Sequence, residues 1–393
     1  MGALSDVKVL DLTRVLAGPY ATMMLADLGA EIIKIEMPGK GDDSRAYGPY
    51  RNGESAYFMS INRNKQSMTL NLKAPEGKEI LKELIQHVDV LVENFRPGTM
   101  ERLGLGFDVL HELNPRLIYA ASTGYGQTGP YSQRPAYDAV VQAMGGIMSI
   151  TGSENGVPTR VGSSIGDIIA GLFLAFGILA ALHERSRSGL GQLVDVAMLD
   201  GQVAILENAI SRFEVTGVVP KPIGNRHPSI VPFEPFDTLT DPIMVAAGND
   251  KLFESLCELL ELNCASDERF ATNPARQANY AKLRPLLAER FKTKTCVEWQ
   301  KLFDQAGIPN GPINTVDKVV VNEQILARNM IVEVDHPVAG VTRIPGIPVK
   351  LSRTPGEIRF AAPLLGADTE ALLSGVLGYS AEKIADLRAK QVI

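Results

Sequence analysis

The chain has 393 residues, of which 45% are hydrophobic, and it carries a formal net charge of −6. This length allows two domains or one large one, and the hydrophobic share is enough for a full core. The negative charge, with no local block of Lys or Arg, argues against a nucleic-acid-binding protein. Three cysteines without CxxC spacing and five scattered histidines argue against a disulfide framework and a metal site. We expect a soluble cytoplasmic protein, because no signal peptide precedes the first predicted strand.

The N-terminal segment predicts a βαβ unit. A buried strand over 7–13 is followed by a helix over 19–28 and a second strand over 31–36. This is the usual opening of a doubly wound sheet, in which Glu36 would stand where a dinucleotide-binding fold holds a ribose. The turn between the first strand and the helix lacks the GxGxxG pattern that a pyrophosphate needs, so we expect no nicotinamide or flavin cofactor.

Strands and helices continue to alternate up to about residue 215, which predicts a mostly parallel sheet covered on both faces. The polar stretch 40–57 is long for a passive connection and could line a site through Arg45, although a solvated surface loop is the alternative. Basic residues lie on consecutive strand ends, where ligands bind in open α/β sheets, and could hold phosphates. They are Lys73, Arg96 and Arg102.

The longest apolar run, 168–182, directly follows Asp167. It predicts a buried helix with Asp167 as its N-cap, and it is short for a membrane span, which needs roughly 20 residues. Asp167 can be explained as a cap. It can equally be a carboxylate that the helix dipole keeps ionised for attack on an acyl group. The spacing does not decide between these interpretations.

A change of composition predicts a second, smaller α+β region over 225–330. Linkers are expected near 216–224 and 331–339, and the part before the first linker, 1–215, is the large domain. The smaller region has a predicted strand over 243–247 and helices over 280–291 and 297–306. Strands with turns follow from residue 331, and the last helix is expected over 381–390.

Eight stretches, in order along the chain, resemble the family III CoA-transferases, the group of formyl-CoA transferase and carnitine CoA-transferase. The resemblance covers essentially the whole chain. It implies a Rossmann-like large domain to which the C-terminal part, 340–393, returns, and an interlocked homodimer with linkers around 200–225 and 325–340 passing through the partner. The stretches are VLDLTRVLAGP (9–19), DLGAEIIKIE (27–36), NRNKQSMTLNLKAPEG (62–77), ENFRPGTMERLG (93–104), GYGQTGP (124–130), GDIIAG (166–171), GIPNGPIN (307–314) and PLLG (363–366).

The resemblance also implies roles for individual residues. Asp167, in GDIIAG, matches the nucleophilic aspartate of the family. The glycine loop that covers the active site of formyl-CoA transferase is reduced here to 246–250, with Gly248 and Asn249. Arg96 stands where formyl-CoA transferase has a glycine, and its charge adds it to the CoA-binding set. The other positions that match CoA contacts are Val15, Leu70, Lys73, Asn94, Phe95, Arg102, Leu103 and Tyr137.

The implied reaction moves CoA from an acyl-CoA to a carboxylic acid through an anhydride and a CoA thioester on Asp167, without a metal or organic cofactor. A related α-methylacyl-CoA racemase would need a His before an Asp, where this chain has Tyr137 and Asp138. A non-catalytic acyl-CoA-binding protein is the alternative from a different class, and the intact Asp167 argues against it.

The substrate is indicated by three stretches, 124–134, 224–233 and 246–249, which most resemble the succinyl-CoA:glutarate (dicarboxylate) CoA-transferases. Formyl or oxalyl transfer is the second choice, and an aromatic or carnitine-type acid is the third. The distal carboxylate of a buried dicarboxylate needs a cation or several donors. The candidates are Arg14, Arg45, Arg226 and His227.

Overall fold

The computed structural model describes residues 2–393 and divides the chain into two compact units. The first unit comprises the chain up to Met148 with Arg160–Thr216 and Gln324–Ile393, and the second comprises Ser149–Thr159 and Gly217–Glu323. The sequence assigns 149–159 to the large domain. The structure instead joins this segment to the second unit, where the Gly224 N–H donates to the Gly152 carbonyl at 3.0 Å. The chain returns to the first unit at Gln324, before the linker predicted near 331–339. Most of that predicted linker is a strand, Ile331–His336.

The strands form one large sheet, one small sheet and two hairpins. In chain order they are β1 (Lys8–Asp11), β2 (Glu31–Glu36), β3 (Tyr50–Arg51), β4 (Glu54–Ser55), β5 (Lys65–Thr69), β6 (Val90–Glu93), β7 (Ile118–Thr123), β8 (Leu193–Ala197), β9 (Phe233–Phe236), β10 (Ile243–Ala246), β11 (Asn310–Pro312), β12 (Ile331–His336) and β13 (Gly340–Pro345).

The helices of both units vary from one turn to nearly seven turns. In chain order they are α1 (Ala17–Asp27), α2 (Ala56–Ile61), α3 (Pro75–Ile85), α4 (Thr99–Leu103), α5 (Phe107–Leu113), α6 (Asp138–Met144), α7 (Ile147–Ile150), α8 (Ile165–Ser188), α9 (Met198–Ala204), α10 (Asn208–Thr216), α11 (Asp250–Leu259), α12 (Asn273–Ala278), α13 (Tyr280–Phe291), α14 (Cys296–Ala306), α15 (Val316–Val319), α16 (Glu323–Ala327), α17 (Thr369–Leu377) and α18 (Ala381–Ala389).

The large sheet of the first unit has six strands in the order β5–β2–β1–β6–β7–β8, and all neighbouring strands are parallel. This confirms the predicted mixed α/β fold with a large parallel sheet. The strand order reverses between β1 and β6, which pair from Val9↔Val90 to Asp11↔Val92. In open α/β sheets, ligands bind outside the carboxyl ends of the strands at such a switch point. A ligand site is therefore expected at the loops that follow β1 and β6.

The two faces of this sheet bury alternating side chains, because successive residues of a strand point to opposite sides. Leu10 and Ile33 belong to a core that also contains residues of α3, α17 and α18. Val9 and Ile32 belong to a second core with residues of α1 and α8. The C-terminal helices are thus part of the first unit's main core.

The helix that carries Asp167 begins earlier than the sequence predicts. α8 has 24 residues, Ser164 occupies its N-cap position, and Asp167 is its third residue. The expectation that Asp167 is the N-cap is therefore wrong. The chain enters the helix before the apolar run begins, and the Gly166 N–H, which has no partner within the helix, donates to a carboxylate oxygen of Asp138 at 2.8 Å.

The expectation that this helix is too short for a membrane span is also wrong. Within residues 2–393, α8 is the one helix whose length and composition would allow it to cross a membrane. In the fold, Leu174 and Ile178 are buried in the core beneath the sheet. Leu172, Phe173 and Phe176 are exposed, so the helix presents an uncovered apolar face.

The second unit contains a three-stranded antiparallel sheet in the order β11–β10–β9. Its core includes Phe236, Phe253, Phe291 and Trp299, which come from β9, α11, α13 and α14. The predicted helix over 280–291 coincides with α13. The predicted strand over 243–247 is β10, which ends one residue earlier.

Candidate active site

Two of the cavities at the carboxyl end of the large sheet contain predicted site residues. The first, the Asp167 cavity, has a volume of about 270 Å³ and is lined by residues that follow β1, β6 and β7, together with Asp167 of α8. The second, the Leu70 cavity, has a volume of about 360 Å³ and is lined by residues near the ends of β1, β2 and β5. Arg14 and Phe95 belong to both linings. The Arg14 guanidinium lies over the Phe95 ring at 5.1 Å, so this pair forms a shared wall.

The predicted CoA-binding residues divide between these cavities. Val15, Asn94, Phe95, Arg96 and Tyr137 line the Asp167 cavity. Leu70, Lys73, Phe95 and Leu103 line the Leu70 cavity. Arg102 lines neither cavity, and its Nη2 donates to Thr99 Oγ1, a wall residue of the Leu70 cavity, at 3.0 Å.

Asp167 is held in place through Asp138, the first residue of α6. One carboxylate oxygen of Asp138 accepts the Gly166 N–H, and the other accepts Gln142 Nε2, both at 2.8 Å. Asp138 is 9% exposed. The sequence interpretation considered Asp138 only as half of a missing racemase motif. A carboxylate that contacts the residue before Asp167 from 28 positions away leaves no local signal in the sequence.

The electrostatics of Asp167 differ from the expectation that the helix dipole favours its ionised form. Burial raises the pKa of Asp167 to about 7, and the neighbouring negative charge of Asp138 adds to the rise. Desolvation and the negative charge of Asp138 thus both disfavour the ionised form of Asp167. Near neutral pH the carboxyl group lies between its neutral and ionised forms.

The turn after β1 is held in an unusual conformation at Val15, whose φ of 69° lies in the left-handed region that β-branched residues rarely adopt. The Val15 N–H donates to Asp42 Oδ1 at 3.1 Å. Asp42 is buried and pairs with the equally buried Lys34 at 2.8 Å. Although burial opposes ionisation, Lys34 lowers the pKa of Asp42 to about 2. A buried ion pair therefore fixes a turn that walls the Asp167 cavity.

Asn94 holds the same turn from the other side. Its Oδ1 accepts the Arg14 N–H at 2.9 Å, and its Nδ2 donates to the Arg14 carbonyl at 2.8 Å. The amide of Asn94 is thus occupied by main-chain groups. Its side chain supports the wall of the cavity whether or not it also meets a ligand.

Two tyrosines near the site were not singled out from the sequence. Burial raises the pKa of Tyr57 to about 12, and the charge of Asp167 is the next largest cause. The rings of Tyr47 and Tyr57 pack edge to face at 5.7 Å. Both belong to the polar stretch 40–57, which folds into a short 3-10 helix, the β3–β4 hairpin and the start of α2.

The candidate cations for the acceptor acid have different environments. Arg14 is exposed, lines both cavities and lies 3.5 Å from Asp43. Arg45 does not fit the predicted role, because its Nε and Nη2 each donate to Glu36 at 2.7 Å and its guanidinium stacks on Phe58. The same pairing explains why Glu36 is not available for a ribose.

Arg226 and His227 lie in the second unit. Arg226 pairs with Glu154 at 3.2 Å and lies over the Tyr280 ring. His227 Nδ1 accepts the Ser229 N–H at 3.0 Å, and its ring stacks on Phe233. Both side chains thus have structural partners.

The shortened glycine loop also belongs to the second unit. Asn249 is the N-cap of α11, and its side chain accepts the Leu252 N–H at 2.9 Å. Gly248 is exposed, and a Cβ atom at this position would meet nothing within 4 Å. No steric demand within its unit explains this glycine.

Arg134 is a site residue that the sequence interpretation missed. It lines the Asp167 cavity with Arg14 and Arg96, and its guanidinium lies over the Tyr131 ring at 3.9 Å. Three guanidinium groups around one cavity favour anionic ligands. The segment 124–134 indicated a dicarboxylate substrate, since it resembles the dicarboxylate CoA-transferases. Nothing in that segment singles out Arg134 as a cavity residue.

Comparison with known proteins identifies the class of enzyme. Residues 4–369 match the family described as CoA-transferase family III. The chain therefore belongs to the family III CoA-transferases, which act on acyl-CoA and carboxylic acid substrates.

Individual relatives extend this result along the whole chain. The chain is 42% identical to a human succinyl-CoA:glutarate CoA-transferase over 392 residues, which cover 99% of this chain and 90% of the relative. It is 45% identical to an acetyl-CoA:oxalate CoA-transferase of Acetobacter aceti over 353 residues, with 89% and 90% covered. The crystal structure of a CAIB/BAIF family protein from Brucella suis is similar with a TM-score of 0.84 and 38% identity, covering 95% of this chain and 99% of that one.

Proposed function

We propose that this enzyme transfers CoA from succinyl-CoA to a dicarboxylate acceptor such as glutarate. The observation that carries this choice is the near-full-length similarity to relatives named for these substrates, at 42% identity in the human and mouse proteins. A relative from Agrobacterium fabrum named succinate–glutarate CoA-transferase, 39% identical, supports the same class.

Asp167 is the proposed nucleophile. Its carboxylate attacks the thioester carbonyl and expels CoA thiolate, which leaves a mixed anhydride of Asp167 and the donor acid. The thiolate attacks the aspartyl carbonyl of this anhydride, releases the donor acid and forms an aspartyl-CoA thioester. The acceptor carboxylate attacks that thioester and forms a second anhydride. The expelled thiolate takes the acyl group from this anhydride and restores the Asp167 carboxylate.

The surroundings of Asp167 support this role. It lies in the first turn of α8, where the helix dipole favours negative charge that develops during the reaction. The energy of the thioester is kept in covalent intermediates throughout, so the scheme calls for no metal or organic cofactor. An anhydride hydrolyses readily, which makes exclusion of water necessary.

We propose that the Leu70 cavity and its rim bind CoA. Leu12, Ile35, Leu70 and Leu103 give it an apolar wall suited to the flat base of a nucleotide. Lys73 on its lining, Arg102 beside Thr99 and Arg96 in the adjacent cavity supply charge for the phosphates. The wall shared by Arg14 and Phe95 then separates the nucleotide from the reacting thioester.

For the acceptor, we propose Arg14 and Arg134 as the cations that meet the distal carboxylate. Both line the Asp167 cavity. Oxalate is the second candidate acceptor, because the Acetobacter aceti relative named for it is 45% identical. The racemase alternative is less suitable, since Tyr137 stands where the required His would be.

We further propose a homodimer in the cytoplasm, interlocked as the family resemblance implies. The uncovered apolar face of α8 supports an association surface, and α9 and α10 carry further exposed apolar side chains, namely Val203, Ile210 and Phe213. On a chain of 393 residues, an exposed apolar face of this kind is typical of a surface that binds a partner.

The proposed function is tested by incubating the enzyme with succinyl-CoA and one acid at a time: glutarate, oxalate, formate, malate, itaconate or acetate. Mass spectrometry should detect glutaryl-CoA, and the product should be absent with Asp167→Ala. Transfer to oxalate or formate alone would replace the proposed acceptor. With succinyl-CoA alone, the wild-type protein should gain the mass of CoA less one water at Asp167, as expected for an aspartyl-CoA thioester. Solvent deuterium appearing at the α-carbon of an acyl-CoA, without transfer, would indicate a racemase.

A further inference from the structure

Ser122 is the next-to-last residue of β7, at the carboxyl end of the large sheet. In this strand Ile118 and Ala120 point into the core that contains Leu174 and Ile178 of α8. Because side chains alternate along a strand, Ser122 continues that row. It therefore lies on the face covered by α8, whose first turn carries Asp167.

The Ser122 hydroxyl has no hydrogen-bond partner among residues 2–393, although the residue is only 3% exposed and the oxygen is buried. Ser122 also lines the Asp167 cavity. Buried hydroxyl groups normally have a partner, and an exception calls for an explanation. The next residue follows the rule, since Thr123 Oγ1 accepts the Gly126 N–H at 2.9 Å.

We propose that the Ser122 hydroxyl donates a hydrogen bond to the oxygen of the acyl group that reacts with Asp167. This inference rests on the proposed role of Asp167. Negative charge develops on the acyl oxygen when the carboxylate adds to the carbonyl, and a donor already in place stabilises it without reorganisation. The proton stays on Ser122, and Ser122 forms no covalent bond. The substrate is then the hydrogen-bond partner that no group among residues 2–393 supplies to Ser122.

The decisive variant is Ser122→Ala, assayed with succinyl-CoA and the acceptor that turns over. Loss of one oxyanion donor costs about 100-fold or more in kcat in other acyl-transfer enzymes, so we expect kcat to fall about 100-fold with KM within about 3-fold. Formation of the CoA adduct from succinyl-CoA alone should slow by a similar factor. The melting temperature should stay unchanged or rise, because the variant removes a buried polar atom that has no partner.

Ser67→Ala is the matched control. Ser67 is equally buried, but its hydroxyl donates to Glu36 at 2.7 Å and accepts the Gly366 N–H at 2.8 Å. This variant should lower the melting temperature while kcat per folded enzyme stays within about 2-fold of the wild type. The two serines thus separate a role toward substrate from a role in stability.

Three outcomes would overturn the proposal for Ser122. One is unchanged kcat in Ser122→Ala while Asp167→Ala is inactive. Another is a rise in KM alone, which would indicate ground-state binding. The third is a loss of melting temperature like that of Ser67→Ala, with activity falling in proportion. Full turnover by Asp167→Ala would refute the proposed role of Asp167, and the Ser122 proposal, which rests on that role, would be refuted with it.

Discussion

The side chain of Asn94 clamps the main chain of Arg14 with two hydrogen bonds, one to its N–H at 2.9 Å and one to its carbonyl at 2.8 Å. The two residues follow β6 and β1, so the clamp lies where the strand order of the sheet reverses. It fixes the turn whose next residue, Val15, adopts a φ of 69°. This turn forms the wall between the two cavities.

Asn94→Ala should therefore weaken acyl-CoA binding more than it slows the chemical step. Loss of both hydrogen bonds frees the turn, and we expect KM for the acyl-CoA to rise about 10-fold and stability to fall by about 1–3 kcal/mol. Steady-state kinetics and thermal melting measure the two effects.

Asn114→Ala provides a control for the clamp. The Asn114 amide donates to the carbonyls of Ile85 and Val88 at 2.8 and 3.1 Å, and this residue lines neither cavity. A similar loss of stability with an unchanged KM is expected. If both variants changed KM equally, the clamp would have no specific connection with the site.

The raised pKa of Asp167 predicts a pH-dependent rate. The nucleophile must be ionised, so kcat/KM should rise with pH through about 7 and level off above it. Asp138→Asn removes the neighbouring negative charge and should move the inflection to lower pH. A profile whose inflection does not move in this variant would show that Asp138 does not influence the nucleophile electrostatically.

The same shift predicts that Asp167 costs stability. Its pKa lies at about 7 in the folded protein and at 3.8 in the reference state, so the folded form binds more protons between these values. Stability should then decrease as pH rises from 4 to 7. Asp167→Asn should stabilise the protein at pH 8 by about 1–3 kcal/mol, with partial exposure taken into account, while abolishing transfer. Melting temperatures of both proteins at pH 5 and 8 test this, and a less stable variant at pH 8 would contradict it.

The position of Arg134 on the Asp167 cavity predicts a preference for dicarboxylate acceptors over monocarboxylates. Arg134→Gln should lower kcat/KM for glutarate about 10- to 50-fold and change the value for acetate by less than about 3-fold, because only the dicarboxylate has a distal charge to lose. Competition between the two acids in one reaction gives the ratio directly. Arg269→Gln alters another exposed arginine over an aromatic ring, Phe270 in the second unit, and should leave the ratio unchanged. An equal loss for both acids with Arg134→Gln would assign this residue to CoA instead.

The apolar face of α8 predicts self-association. Phe176 is 70% exposed, and Phe176→Glu places a charge where a partner would bury a ring. We expect the oligomer to dissociate or the protein to become insoluble, as measured by light scattering after gel filtration. Val297→Glu is the control, because Val297 is 65% exposed on α14 of the second unit. A Phe176→Glu protein with the same mass in solution as the wild type would exclude this face from the interface.

The strands were predictable because their signal is local. The runs at 31–36 and 193–197 are rich in β-branched Ile and Val, and they coincide with β2 and β8. The start of α8 was not predictable in the same way, since Ser164, Ile165 and Gly166 precede the apolar run. In the fold, the Gly166 N–H is bound by the carboxylate of Asp138, 28 residues earlier in the chain.

Family motifs singled out residues that the structure places on cavity linings, such as Asp167 and Leu70, whereas relationships between distant side chains left no such signal. The Asn94 clamp joins residues 80 positions apart. The pairing of Arg45 with Glu36 removed one candidate cation, and the position of Arg134 on the cavity lining added another. Such relationships depend on the assembled sheet, which no local pattern encodes.

The contribution of α17 and α18 to the main core has a consequence for synthesis. Leu372, Leu373 and Ile384 share a core with Leu10 and Ile33, and the Asn71 N–H donates to the Val392 carbonyl at 2.8 Å. A ribosome therefore has to translate nearly all of the chain before one face of the sheet is covered. Until then the nascent first unit exposes an apolar surface, and molecular chaperones are expected to bind it. Leu70 is translated early, but the core to which it belongs is complete only when α17 and α18 pack against the sheet.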